Sequence, residues 1–269
     1  MLTELCGRID DLVRQRQGRR VIVGLVGLPG SGKTTMADAL VTSLLQWHAD
    51  WTDHRTDRVS DPERPWIGSH VAHVPMDGFH LADVELRRLR RGDRKGAPDT
   101  FDAAGYAALL QRLRHSDDDV WAPAFDRTIE QPIAGSIPVL RHTRVVITEG
   151  NYLLLEDPVW ATARSHIDAV WFYDLDDDVR RQRLINRHIR FGKSPAAAVD
   201  WVNGPDQRNA ELIDATRDRA DLIIHDAGLG PAAVTAPGQL GAASSPDRQP
   251  TAAEVGSGHL SRRRGVTDN

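Results

Sequence analysis

The chain has a single cysteine, Cys6, in 269 residues. An internal disulfide is therefore excluded, and a free thiol fits a reducing compartment. Long apolar runs are also missing: none approaches the ~20 residues that a membrane-spanning helix needs. The start, Met1-Leu2-Thr3-Glu4-Leu5, has neither the basic n-region nor the apolar h-region of a secretory signal. Neither sign of charge dominates, because 34 basic and 38 acidic residues leave a net charge of −4. That balance gives no footprint for non-specific nucleic-acid binding. Aromatic residues are few, at 6%, and residues 228–269 contain none. This last stretch is rich in Gly, Ala, Pro and Ser and cannot bury enough apolar surface to order itself, so it is expected to be a disordered tail. Arg262-Arg263-Arg264 within it reads as a solvated charge run. The expectation is a cytoplasmic protein with no membrane or nucleic-acid partner, and homo-oligomerisation is left open.

What is present begins with residues 27–34, Gly-Leu-Pro-Gly-Ser-Gly-Lys-Thr, a complete Walker A loop. It follows the apolar run Val21–Val26 and precedes a helical pattern in which Met36, Leu40 and Leu44 share one stripe. Strand before and helix after are the context such a loop requires. The glycines let backbone N–H groups turn toward phosphate oxygens, and Lys33 reaches the β- and γ-phosphates. The Thr34 hydroxyl is suited to Mg²⁺, and the helix N-terminus aims its positive end at the anion. The expected nucleotide contacts are Gly27, Pro29, Gly30, Ser31, Gly32, Lys33, Thr34 and Thr35, with ATP and Mg²⁺ as ligands.

Further along, apolar strands are expected at about 20–26, 71–76, 119–122, 145–148, 169–173 and 222–224. Helices are expected at 3–17, 81–91, 103–114, after the acids at 174 and 176–178, and at 196–202. Residues 48–69, with Trp51 and Trp66, read as a polar loop. Near-continuous apolar strands alternating with helices are the signature of a mostly parallel sheet covered on both faces. The predicted fold is thus α/β, of the P-loop NTPase kind, with one domain over 1–227.

In open parallel sheets, ligands bind beyond the carboxyl ends of the strands. The loop at 27–34, Asp77, Asp126-Arg127 and Glu149 all follow predicted strands and should converge there. Asp77 is a candidate base for an acceptor hydroxyl, or else a turn aspartate beside Gly78. Glu149 stands where an acid would hold Mg²⁺, directly or through water, or else it is a helix-capping acid. His80 is a candidate substrate contact or a structural histidine. Arg180, Arg183, Arg187 and Arg190 recur at helical spacing, which also fits a solvated basic face paired with Asp176, Asp177 and Asp178, and lead into the break Phe191-Gly192-Lys193-Ser194-Pro195. The second helix is expected to stop at Gly204-Pro205.

Walker A, Met76-Asp77-Gly78-Phe79-His80, Lys95-Gly96-Ala97-Pro98-Asp99-Thr100-Phe101-Asp102, Phe125-Asp126-Arg127 and Glu149-Gly150 occur in that order. Together they resemble the phosphoribulokinase, uridine kinase and bacterial pantothenate kinase family over about residues 19–226. The chain looks most like the branch that includes the kinase associated with bacterial fructose transport. The resemblance implies that Asp77 is the catalytic base, that Glu149 serves Mg²⁺, and that Lys95, Asp102, Asp126 and Arg127 border the acceptor. It also implies a helical lid at about 180–206 whose arginines, Arg183 and Arg187 first, close on the phosphates. The implied activity is ATP-dependent phosphorylation of a small hydroxylated metabolite, a sugar or nucleoside ahead of pantothenate. The alternative is an ATP-dependent switch or assembly protein. A guanine-specific switch is disfavoured, since no Asn-Lys-x-Asp string occurs.

Overall fold

The computed structural model describes residues 1–47 and 70–225. The predicted 48–69 loop with Trp51 and Trp66, and the predicted tail at 228–269, lie outside the described residues.

The fold grows around strand β1 (Val21–Val26), every residue of which is buried. A parallel sheet forms in the order β2-β5-β1-β6-β7. Its other members are β2 (Val71–Pro75), β5 (Val145–Glu149), β6 (Ala169–Asp174) and β7 (Leu222–His225). Strand periodicity divides β1 between two cores. Val21, Val23 and Leu25 pack with helices α1 (Leu2–Gln15) and α2 (Lys33–Trp47). Ile22 and Val26 face the opposite core, built with α4 (Ala103–His115), α5 (Pro158–Ser165) and α8 (Gln207–Asp214). Cys6 is buried in the first core, and burial pushes its thiol pKa up, which suits an inert packing residue.

Register puts the site together. Leu25 of β1 and Pro75 of β2 both pair with Glu149 of β5. The chain therefore leaves all three strands at one level: into the phosphate loop, into Asp77 ahead of helix α3 (Asp83–Leu89), and into Gly150-Asn151.

Several expectations need correction. The strand expected at 119–122 is longer, β3 (Val120–Asp126), and pairs antiparallel with an unpredicted strand, β4 (Gln131–Val139). This two-stranded sheet stands apart from the parallel one. Prolines disguised it. Pro123 lies where the register shifts between Ala122 and Ala124, and Pro132 and Pro138 sit in a strand of an isolated pair, where a missing N–H is tolerated. Helix α5 was also unpredicted, although Asp157 accepts from Val159 N at its start and Pro158 opens it. Gly204-Pro205 does not stop the helical region. After α6 (Asp177–Arg190) and α7 (Pro195–Trp201), the chain passes through a π turn at Val202–Asp206 directly into α8. The wider turn absorbs Pro205, which has no N–H to give.

Candidate active site

The phosphate loop is shaped by positions that exclude side chains. A Cβ on Gly27 would lie 2.6 Å from Ser31 Oγ and 2.8 Å from the Tyr173 carbonyl oxygen. Gly30 and Gly32 adopt φ of +83° and +95°, which only glycine takes without strain. Ser31 Oγ is buried and has no hydrogen-bond partner among the described residues. Lys33 opens α2 at the end of this turn. Burial lowers the Lys33 pKa and the nearby Arg187 and Arg127 lower it further, while Glu149 and Asp77 oppose them. A cavity of about 240 Å³ is lined by Gly30, Gly32, Lys33, Thr34, Thr35, Arg127, Arg183, Leu184 and Arg187. Pro29 instead lines a larger cavity of about 570 Å³, which shares Lys33, Thr34, Arg127 and Arg187 with the first.

Thr34 Oγ1 donates to Glu149 Oε1 at 3.1 Å. Glu149 is buried, and that burial, with Asp77 nearby, raises its pKa against the pull of Lys33. Asp77 follows β2 in a single 3₁₀ turn, Met76–Phe79. Gly78 is required there because a Cβ would meet the Pro123 carbonyl oxygen at 2.4 Å. Burial alone would raise the Asp77 pKa, but His80 first, then Arg127, Lys33 and Arg187, outweigh burial and hold it low. Arg127 Nη2 donates to Asp77 Oδ2 at 2.9 Å.

His80 Nδ1 lies 2.8 Å from the Asp77 carbonyl oxygen. A carbonyl only accepts, so Nδ1 carries a proton and donates to it. Burial lowers the ring's pKa, and the Asp77 carboxylate and backbone carbonyl oppose it. The ring packs against Phe101 and Phe125, with centroids 4.0 and 4.7 Å away.

The remaining expected residues divide. Lys95 lines the larger cavity and donates to Asp83 Oδ1 and the Glu130 carbonyl, both at 2.8 Å. Asp102 and Asp126 do not line it. Asp102 caps α4 by accepting from Gly105 N at 2.8 Å. Asp126 accepts from Thr128 N at 2.8 Å and Ile129 N at 3.3 Å, and so pins the hairpin turn that begins at Arg127. In both motifs the aromatic neighbour, Phe101 or Phe125, faces the cavity instead. Arg183 Nη1 reaches the Ser31 carbonyl at 3.5 Å. Arg180, counted with it on one helix face, is fully buried away from the cavity. Asn151, Phe191, Trp201 and Asn209 also line the larger cavity and were not anticipated. Asn151 had a signal, since it follows Glu149-Gly150 at a strand end.

No family model matches the chain. It is 30% identical over 234 residues to a Schizosaccharomyces pombe protein named "Putative uridine kinase C227.14", covering 84% of this chain and 91% of that one. A pantothenate kinase from a Nocardioides species is 24% identical over 259 residues, covering 83% and 73%. Among solved structures, a "putative fructose transport system kinase" from Silicibacter sp. TM1040 superimposes with a TM-score of 0.70 at 34% identity, covering 83% of this chain and 98% of that one. The chain belongs to the phosphoribulokinase, uridine kinase and bacterial pantothenate kinase family of P-loop kinases. It is an ATP-dependent kinase for a small metabolite.

A P-loop kinase of this family must accommodate a triphosphate and its metal, and the residues present fit both. The glycine cradle, the unpartnered Ser31 hydroxyl and the cluster Lys33, Arg183 and Arg187 suit phosphate oxygens. No group of three or more His, Cys, Asp or Glu side chains among the described residues forms a metal cage. Thr34 and Glu149 supply hard oxygen donors, which suits Mg²⁺, an ion that takes few protein ligands and completes its shell with phosphate and water. No described helix is long and apolar enough to cross a membrane.

Proposed function

We propose that this kinase phosphorylates a hydroxyl of a sugar or nucleoside, with Asp77 as the base. The observation that carries this reading is the shared wall. Asp77 lines the cavity of about 570 Å³, and Lys33, Thr34 and Arg187 line both that cavity and the phosphate cavity. An acceptor in the first would meet a phosphate in the second beside the carboxylate.

Each residue then has a role that its surroundings support. Lys33 and the loop amides hold the β- and γ-phosphates, and Thr34 and Glu149 hold Mg²⁺, which when bound neutralises phosphate charge. Asp77 takes the hydroxyl proton as the acceptor oxygen bonds to the γ-phosphorus and the bond to the β,γ-bridging oxygen breaks. Arg183 and Arg187 neutralise charge on the transferring group, and the helical segment at 180–206 acts as a lid that excludes water. Phe101, Phe125 and Trp201 give the cavity an aromatic lining that suits a base or the C–H face of a sugar. That lining ranks such acceptors ahead of pantothenate.

The test is acceptor-dependent ADP release across a metabolite panel that includes uridine, D-fructose and pantothenate, with each product identified. Release that no small hydroxylated compound stimulates, and that a partner protein does, would sink the reading in favour of an ATP-driven switch.

A further inference from the structure

Arg127 occupies an unusual position. It opens the turn of the β3–β4 hairpin, pinned there by the Asp126 side chain. Besides the acceptor and phosphate cavities, a third of about 170 Å³ is lined by Glu149, Asp77 and His73. Arg127 and Thr34 alone line all three. Thr34 is a Walker A residue and belongs at that junction. Arg127 is not, and its guanidinium is bonded to the side chain that the proposed reaction needs free.

The pair joins Arg127 Nη2 to Asp77 Oδ2 at 2.9 Å, with the arginine side chain 44% exposed and the aspartate 24%. A half-exposed arginine on a hairpin turn can exchange partners at small cost, because exposed ion pairs contribute little. A carboxylate held by a guanidinium is a poor base, since the bond favours its ionised form. A phosphate group is the stronger partner: it carries more charge and takes the planar fork of arginine bidentately.

Resting on the kinase reading, we propose that Arg127 is a catalytic residue that exchanges partners. It holds Asp77 while the phosphate cavity lacks a γ-phosphate and leaves it for the γ-phosphate of the bound nucleotide. One side chain would then do two things. It would add a cation to the transferring group, and it would free the base only when there is a phosphoryl group to transfer.

Binding tests this without any acceptor. Calorimetric titration would give the affinities of MgADP and of the Mg²⁺ complex of the β,γ-imido analogue of ATP. The ratio of the two reports contacts to the γ-phosphate. Arg127→Ala is expected to lower the analogue's affinity about 10- to 100-fold, as for loss of a charged hydrogen bond, with MgADP unchanged. Arg127→Lys should keep part of it. Asp77→Asn removes the competing partner and should raise the analogue's affinity about two- to fivefold, the worth of an exposed ion pair. That gain must vanish in the double variant Asp77→Asn, Arg127→Ala, because it acts through Arg127.

If the gain survives in the double variant, Asp77 merely repels phosphate and the exchange is wrong. If Asp77→Asn gives no gain, Arg127 does not leave it, and the exchange is again wrong. Unchanged analogue affinity in folded Arg127→Ala removes the γ-phosphate contact. A wild type that binds neither nucleotide overturns the kinase reading and the exchange together, so the two failures can be told apart.

Discussion

Arg180, fully buried in α6, donates from Nη1 to the carbonyl oxygen of Pro29 in the phosphate loop at 3.1 Å. Its other nitrogens reach Asp177 Oδ1 at 2.6 and 2.8 Å and Gln207 Oε1 at 3.1 Å. One guanidinium thus ties the base of the proposed lid, the start of α8 and the loop into a single unit. Arg180→Ala should lower stability by about 1.5–3 kcal/mol, the range for hydrogen bonds to a charged group. The measurement is the urea midpoint at unchanged slope, and an unaltered midpoint would contradict the tie.

Lys33→Ala should cost on the order of 10²–10³ in kcat if, as proposed, its charge acts on the group that gains charge in the transition state. Its pKa is lowered by burial, so removing the ammonium should leave the nucleotide-free fold intact. Far-ultraviolet circular dichroism beside turnover checks both halves. Near-normal turnover in a folded variant would refute the phosphate clamp.

Gly30→Ala tests how closely α6 sits on the loop. Gly30 has φ +83°, and an added Cβ would lie 2.5 Å from Leu184 Cγ and 3.0 Å from the Arg180 carbonyl oxygen. Backbone strain and the clash act together, since Leu184 is itself buried. Nucleotide affinity should fall at least tenfold, with a lower melting temperature. Titration with MgADP decides, and wild-type affinity would mean that the loop relaxes without cost.

The parallel core was legible because each strand is a near-continuous apolar run, as doubly covered strands must be. The Walker A loop was legible because its backbone geometry admits few residue types. The hairpin was not, since Pro123, Pro132, Gly135 and Pro138 read as breakers where an isolated antiparallel pair tolerates them. Acids drew attention in two motifs where aromatics line the cavity. Asp102 and Asp126 turn back on their own backbone, as short carboxylates at helix and turn starts do. Arg180 misled for a related reason. Helical spacing gives the face of a side chain, whereas its depth depends on what α6 packs against.

Asp77→Asn and Glu149→Gln should separate in their response to Mg²⁺. The first should lower kcat sharply without loss of nucleotide affinity, and added Mg²⁺ should not restore it. The second should raise the Mg²⁺ requirement and be partly rescued by the ion, because Glu149 shares its oxygen with Thr34 rather than with the acceptor cavity. Initial rates across a Mg²⁺ series distinguish them. Rescue of the first variant alone would mean that the two acids have exchanged roles.

Glu149→Gln should also stabilise the nucleotide-free protein at neutral pH. Burial raises the Glu149 pKa above its ordinary value, and the opposing pull of Lys33 does not restore it. Above that raised value the carboxylate is ionised in both native and unfolded chains, and the native state carries the cost of a buried charge. As pH falls through the raised native pKa, the folded protein takes up the proton first and the cost fades. It is gone once pH lies below the ordinary value of the unfolded chain. Glutamine removes the charge and keeps an oxygen for the Thr34 hydroxyl. Its advantage should therefore be largest above the raised native value and disappear below the ordinary carboxyl range. Each kcal/mol gained would raise the melting temperature by about 2–4 °C in a domain of this size. Mg²⁺ should reverse the ranking, since only the carboxylate gains from the ion. Melting curves from acid to neutral pH, with and without MgADP, test this. A variant less stable than wild type at neutral pH without the ion would show that Glu149 holds Lys33 more strongly than its own burial costs.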